Sequence, residues 1–89
     1  MLFMVIEQFR NGDPKPVYAR FDKHGRMAPE GLRYVNSWVT TDLTTCYQVM
    51  ETDDRVLLDQ WLDAWSDLVA FDVIPVVTSA EAAARVRAT

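Results

Sequence analysis

Residues 32–77, LRYVNSWVTTDLTTCYQVMETDDRVLLDQWLDAWSDLVAFDVIPVV, decide the fold. Leu32 to Val39 is rich in β-branched and aromatic residues and reads as a strand. Thr41-Asp42-Leu43-Thr44 turns the chain back, and Thr45 to Glu51 returns beside it as a hairpin partner. Thr52-Asp53-Asp54 then sets carboxylates where a helix begins, suited to its positive N-terminal dipole. Leu57, Leu58, Trp61, Leu62, Trp65 and Leu68 follow at helical spacing as one apolar stripe. Val69 to Val77 is again a strand, and Pro75 near its end suits an edge or a bulge.

Working outward, Leu2 to Phe9 is a further strand. Asp13 can cap a helix whose first position suits Pro14. Val17, Tyr18, Phe21 and His24 carry that helix forward, and Gly25 stops it. Arg26 to Gly31 is a loop. At the other end, Thr78-Ser79-Ala80-Glu81 reads as a capping box opening a short Ala-rich helix. The order is β-α-β-β-α-β plus a tail helix in one domain, residues 1–89. That is the α+β, ferredoxin-like arrangement, a four-stranded antiparallel sheet with two helices on one face.

The other face should be polar in a lone chain. The first strand sets Leu2, Met4 and Ile6 against Phe3, Val5, Glu7 and Phe9, and the last sets Phe71, Val73 and Pro75 against Asp72, Ile74 and Val76. Both faces are mainly apolar, so a second copy is expected to cover the open one, sheet to sheet, in a homodimer. On the second strand, Tyr34, Asn36 and Trp38 alternate with Arg33, Val35, Ser37 and Val39. Trp38 pairs with Tyr47 in one hairpin register, and with Cys46 or Gln48 after a one-residue slip that flips the faces.

Composition narrows the function classes. The chain is 49% hydrophobic and 25% charged, which excludes a disordered segment. A net charge of −4 with scattered cations argues against nucleic acid and anionic membranes as partners. The start lacks the positive region of a secretory leader, no apolar run is long enough to cross a bilayer, and Cys46 is the only cysteine; a cytoplasmic protein is expected. No metal-ligand spacing or phosphate-cradling glycine loop is present, so no metal and no cofactor is expected.

Single residues yield modest chemistry. His24 suits the C-terminal dipole of its helix, and Cys46, with no local base, reads as a small hydrophobe. Trp61 and Trp65 belong to the core stripe. Glu7 and Glu51 end neighbouring strands, and Asp72 could join them; a carboxylate facing the closed interior would have a raised pKa and could act as a base. Tyr34, Asn36 and Trp38 join aromatic bulk to hydrogen-bonding ends, as a small-molecule cavity requires.

The segments MLFMVIEQF, GRMAPEGLRYVNSWV, CYQVMETDD and WLDAWSDLVAFDVIPVVTSAEA resemble a family of short bacterial proteins known only as a domain of unknown function. That family looks like a member of the dimeric α+β barrel superfamily, which also holds antibiotic-biosynthesis-type monooxygenases, muconolactone isomerases and haem-degrading enzymes. The resemblance implies fold and dimer, and it carries over no catalytic position. The expected function is binding of a small apolar or aromatic molecule inside the barrel, with cofactor-independent oxidation or isomerisation as its chemistry. The expected lining is Glu7, Tyr34, Asn36, Trp38 and Gln48, with Glu7 as base if desolvated. The rival is a non-catalytic protein–protein interaction or structural module, supported by the lack of a catalytic pair.

Overall fold

The computed structural model describes residues 1–89. Strand β1 spans Leu2–Phe9, helix α1 Lys15–His24, β2 Arg33–Val39, β3 Thr45–Glu51, α2 Arg55–Trp65, β4 Val69–Val76 and α3 Ser79–Ala88. The strands form one antiparallel sheet in the order β2-β3-β1-β4. This is the α+β, ferredoxin-like arrangement, and Pro75 lies on the edge strand β4, where a missing ladder donor is tolerated.

Local chemistry sets the boundaries. Asp13 has extended backbone and accepts from the Lys15 N–H at 3.0 Å, while Pro14 is already helical and its carbonyl accepts from Tyr18. Before them, Arg10–Gly12 forms a short 3₁₀ turn. The Asp54 side chain caps α2 by accepting from the Val56 N–H at 3.0 Å. The α3 capping box is half formed: Thr78 accepts from the Glu81 N–H, but Glu81 turns to Arg85 at 2.9 Å instead of reaching back. In the hairpin, one Asp42 oxygen accepts from both Thr40 and Thr44 hydroxyls and from the Thr44 N–H. Those bonds hold its carboxyl below the usual range and lock a turn in which Leu43 takes φ +62°.

The hairpin register pairs Trp38 with Tyr47. Upstream, the pairing shifts between Tyr34 and Asn36, leaving Val35 as a bulge. Tyr34 opposes Met50 whereas Asn36 opposes Val49, so the two point to opposite faces. The expected common face of Tyr34, Asn36 and Trp38 is therefore corrected. Tyr34, Ser37 and Val39 share the helix side, and Asn36 and Trp38 share the open side.

The core lies between the sheet and α2. Phe3, Val5 and Phe9 of β1, Met50 of β3 and Val69 of β4 meet Leu58, Trp61 and Trp65, all nearly sealed from water. Helix α1 buries no residue fully; it overhangs the same face instead of filling it. On the open face, Trp38, Ile74 and Tyr47 are 57%, 48% and 41% exposed, beside the half-buried Met4, Ile6, Val49 and Val76. The molecule is a slab of 46 × 30 × 17 Å, and its radius of gyration of 14.4 Å exceeds the roughly 12 Å of a rounded chain of this length. It is two layers thick and lacks a third.

Candidate functional site

Strand alternation places Phe3, Val5, Glu7 and Phe9 in one inward file, so a single carboxyl interrupts an apolar row. Glu7 is 8% exposed, with Cys46 opposite on β3 and Phe71 opposite on β4. Gln48, also buried, donates its Nε2–H to Glu7 Oε2 at 3.0 Å, and its Oε1 accepts from Arg26 Nε at 2.8 Å. Arginine can only donate, so Arg26 fixes which way the Gln48 amide points and directs its NH₂ at Glu7. Burial raises the Glu7 pKa from the ordinary 4.5 to about 7, against the smaller downward pull of the Cys46 thiol and the Arg26 charge.

Arg26 follows the Gly25 stop of α1 and is held from several sides. The indole N–H groups of Trp61 and Trp65, two adjacent turns of α2, both donate to its carbonyl at 2.9 Å. Its guanidinium carbon lies 3.7 Å from the Tyr34 ring centroid and 5.2 Å from that of Phe21, within cation–π range. Tyr34 Oη meets Ser37 Oγ at 2.7 Å. Met27, next in the chain, takes φ +61°, a left-handed backbone uncommon for a side-chain-bearing residue.

These groups border a cavity of about 200 Å³ between the sheet and the overhanging α1. Glu7, Gln48, Arg26, Ser37 and Cys46 supply its polar edge, and Phe9, Val17, Tyr18, Phe21, Val39, Trp61 and Trp65 its apolar walls. Helix α1 is tied down at its centre, where Arg20 pairs with Asp67 through two nitrogens at 2.8 and 2.7 Å and also donates to the Ala64 carbonyl. The Tyr18 phenol is pushed up by partial burial first and by the nearby Cys46 and Glu7 charges second.

Of the side chains expected to line a site, Glu7 and Gln48 are brought into hydrogen-bond contact at the cavity, and Tyr34 flanks it through Arg26 and Ser37. Asn36 and Trp38 lie across the sheet from it. No carboxylate cluster forms around Glu7: Glu51 points to the open face and pairs with Arg33, and Asp72, opposite Ile6, is on that face too. Cys46 is buried, and its thiol is pushed up to about 12 by burial and by Glu7, which leaves it a poor nucleophile. His24 is exposed at the end of α1. No three His, Cys, Asp or Glu side chains converge as a metal site.

Sequence reading missed Arg26 and the part of α1 that roofs the cavity. The expected cavity is inside a barrel formed by two copies; the cavity described here is a separate one, within a single chain, between sheet and helices. The tryptophans do fill the core, but their N–H ends address the loop.

The chain belongs to the family described as a domain of unknown function (DUF3303), whose model matches residues 1–89. Among solved structures it is similar to Rv0793 from Mycobacterium tuberculosis, at 18% identity and a TM-score of 0.52, over 90% of this chain and 99% of that one. This likeness concerns the fold. No curated protein matches the sequence significantly.

Proposed function

We propose that this chain is a one-domain protomer that binds a small, largely aromatic molecule in the cavity beneath α1 and moves a proton on it with Glu7. The observation that carries this reading is a buried carboxyl, hydrogen-bonded by Gln48, at the polar edge of an otherwise apolar cavity, where burial raises its pKa toward neutrality. Such a group can take a proton from one atom and return it to another, which is what a proton-shift isomerisation asks. A cofactor-free oxidation would begin with the same deprotonation and would then need dioxygen as oxidant. Glu7 and Gln48 contact the ligand, Tyr34 holds Arg26 in place, and Asn36 and Trp38 serve the other face.

That other face supports self-association. Four strands of about seven residues present a footprint of roughly 19 by 23 Å, as large as the biggest apolar patches that monomers expose, which are often interaction sites. A second copy across Trp38, Tyr47 and Ile74 supplies the third layer that the slab lacks. No helix is long and apolar enough to cross a membrane, and Cys46 is free, which suits a cytoplasmic setting.

A thermal-shift panel of one-ring aromatic compounds tests the binding. A ligand of the native state must raise Tm, and Val39→Trp, which fills the cavity, should abolish the rise. A panel in which no compound raises Tm would overturn this reading and favour the non-catalytic module.

A further inference from the structure

We infer that the cavity selects an anionic ligand, a one-ring aromatic carboxylate whose carboxyl group pairs with the guanidinium of Arg26. This rests on the reading of the cavity as a ligand site and names the class of molecule it takes.

Arg26 is immobilised without being neutralised. Its carbonyl is clamped by two indoles, its Nε donates to Gln48, and its guanidinium carbon lies over the Tyr34 ring. Ion pairs occupy Arg20, Arg33, Arg55 and Arg85, yet no carboxylate pairs with Arg26. Its terminal nitrogens make no hydrogen bond within the chain, although a guanidinium carries five donors and only one is used. A half-buried cation fixed in one pose, with its fork free at a cavity edge, matches the bidentate geometry of a carboxylate.

Size and wall chemistry restrict the remainder of the ligand. A dry cavity of about 150 Å³ holds benzene. The 200 Å³ available here accommodates one ring with a carboxyl group and little more. Phe21, Tyr18 and Val17 offer the ring apolar contact from the α1 side.

Glu7 adds a pH dependence. The titratable or charged groups facing it are Cys46 from β3, Tyr18 from α1 and Arg26 from the loop; α2 presents only Trp61 and Trp65, and β4 presents Phe71. Protonated, Glu7 can donate to the incoming anion, and ionised it repels it. Affinity for the acid therefore falls as pH rises through the Glu7 pKa, while affinity for a neutral isostere does not.

Calorimetric titration of the full chain with benzoate, phenylacetate and 4-hydroxybenzoate, each against its primary amide, tests this at pH 6 and pH 8. The expected result is acid binding at least about tenfold tighter than amide at pH 6, from charge-assisted hydrogen bonds. The preference should shrink at pH 8, stay constant in Glu7→Gln and vanish in Arg26→Gln. The acid–amide comparison in the native protein stands even if Arg26→Gln does not fold. Equal binding of acid and amide would overturn the anion assignment and leave the cavity reading intact. No binding of either would overturn both.

Discussion

Replacing Glu7 by glutamine keeps the shape of the side chain and removes its proton equilibrium. In the folded chain the carboxyl titrates at about 7 instead of the ordinary 4.5, chiefly because burial penalises its charged form. Between those two pH values the native state holds a proton that the unfolded chain has released. Stability therefore falls as pH rises across that window; the contribution of Glu7 is fully present below pH 4.5 and lost above pH 7. At about 1.4 kcal/mol per pH unit, the whole loss is about 3 kcal/mol. Glu7→Gln should unfold at nearly the native urea midpoint at pH 4.5 and be about 3 kcal/mol more stable than the native chain at pH 8, less any cost of a second amide beside Cys46. Urea unfolding at half-unit pH steps from 4.5 to 8, at fixed protomer concentration, measures the difference. Subtraction cancels the groups that both proteins share. Parallel stability curves for the two proteins would show that Glu7 is not held protonated by burial, and the proton-transfer role would go with it.

Trp38→Glu places a charge on the open sheet face and should yield a folded monomer by analytical ultracentrifugation, with unchanged far-ultraviolet circular dichroism; a variant still dimeric at micromolar concentration would refute the interface. Trp61→Phe removes one of two donors from the Arg26 carbonyl and should cost about 1 kcal/mol from the lost bond, plus a packing loss; Trp61→Phe with Trp65→Phe should cost more than the two singles combined, since the carbonyl then loses its last partner. Asp54→Ala deprives α2 of its cap and should lower unfolding free energy by about 1 kcal/mol in urea titration. Leu58→Ala, at a fully buried core position, should cost about 2 to 5 kcal/mol in the same assay.

The elements were legible in the sequence because each carries its own period. The stripe Leu58, Trp61 and Trp65 repeats every three to four residues, and the file Phe3, Val5, Glu7 and Phe9 every two, so helix α2 and strand β1 follow from one-dimensional pattern. The inward placement of Glu7 follows from the same alternation. The division of β2 does not. A bulge at Val35 changes parity within the strand, and no residue type there announces it, so Tyr34 and Trp38 part company only in three dimensions. Arg26 was missed for a related reason: it sits in a loop, where no periodicity reports direction, and its partners Gln48, Trp61 and Trp65 are 22 to 39 residues away.

The indole contacts give the molecule an optical consequence. Trp61 and Trp65 are tethered to a single oxygen at the cavity, while Trp38 stands on the far surface. Their emission therefore samples two separate places in one unlabelled chain, the cavity and the open sheet face. On the proposed function, quenching of the tethered pair would follow occupancy beneath α1, and a blue shift of the third would follow its removal from solvent by a second copy. Replacing Trp38 with phenylalanine isolates the cavity signal, and subtracting it from the native emission leaves that of the sheet face.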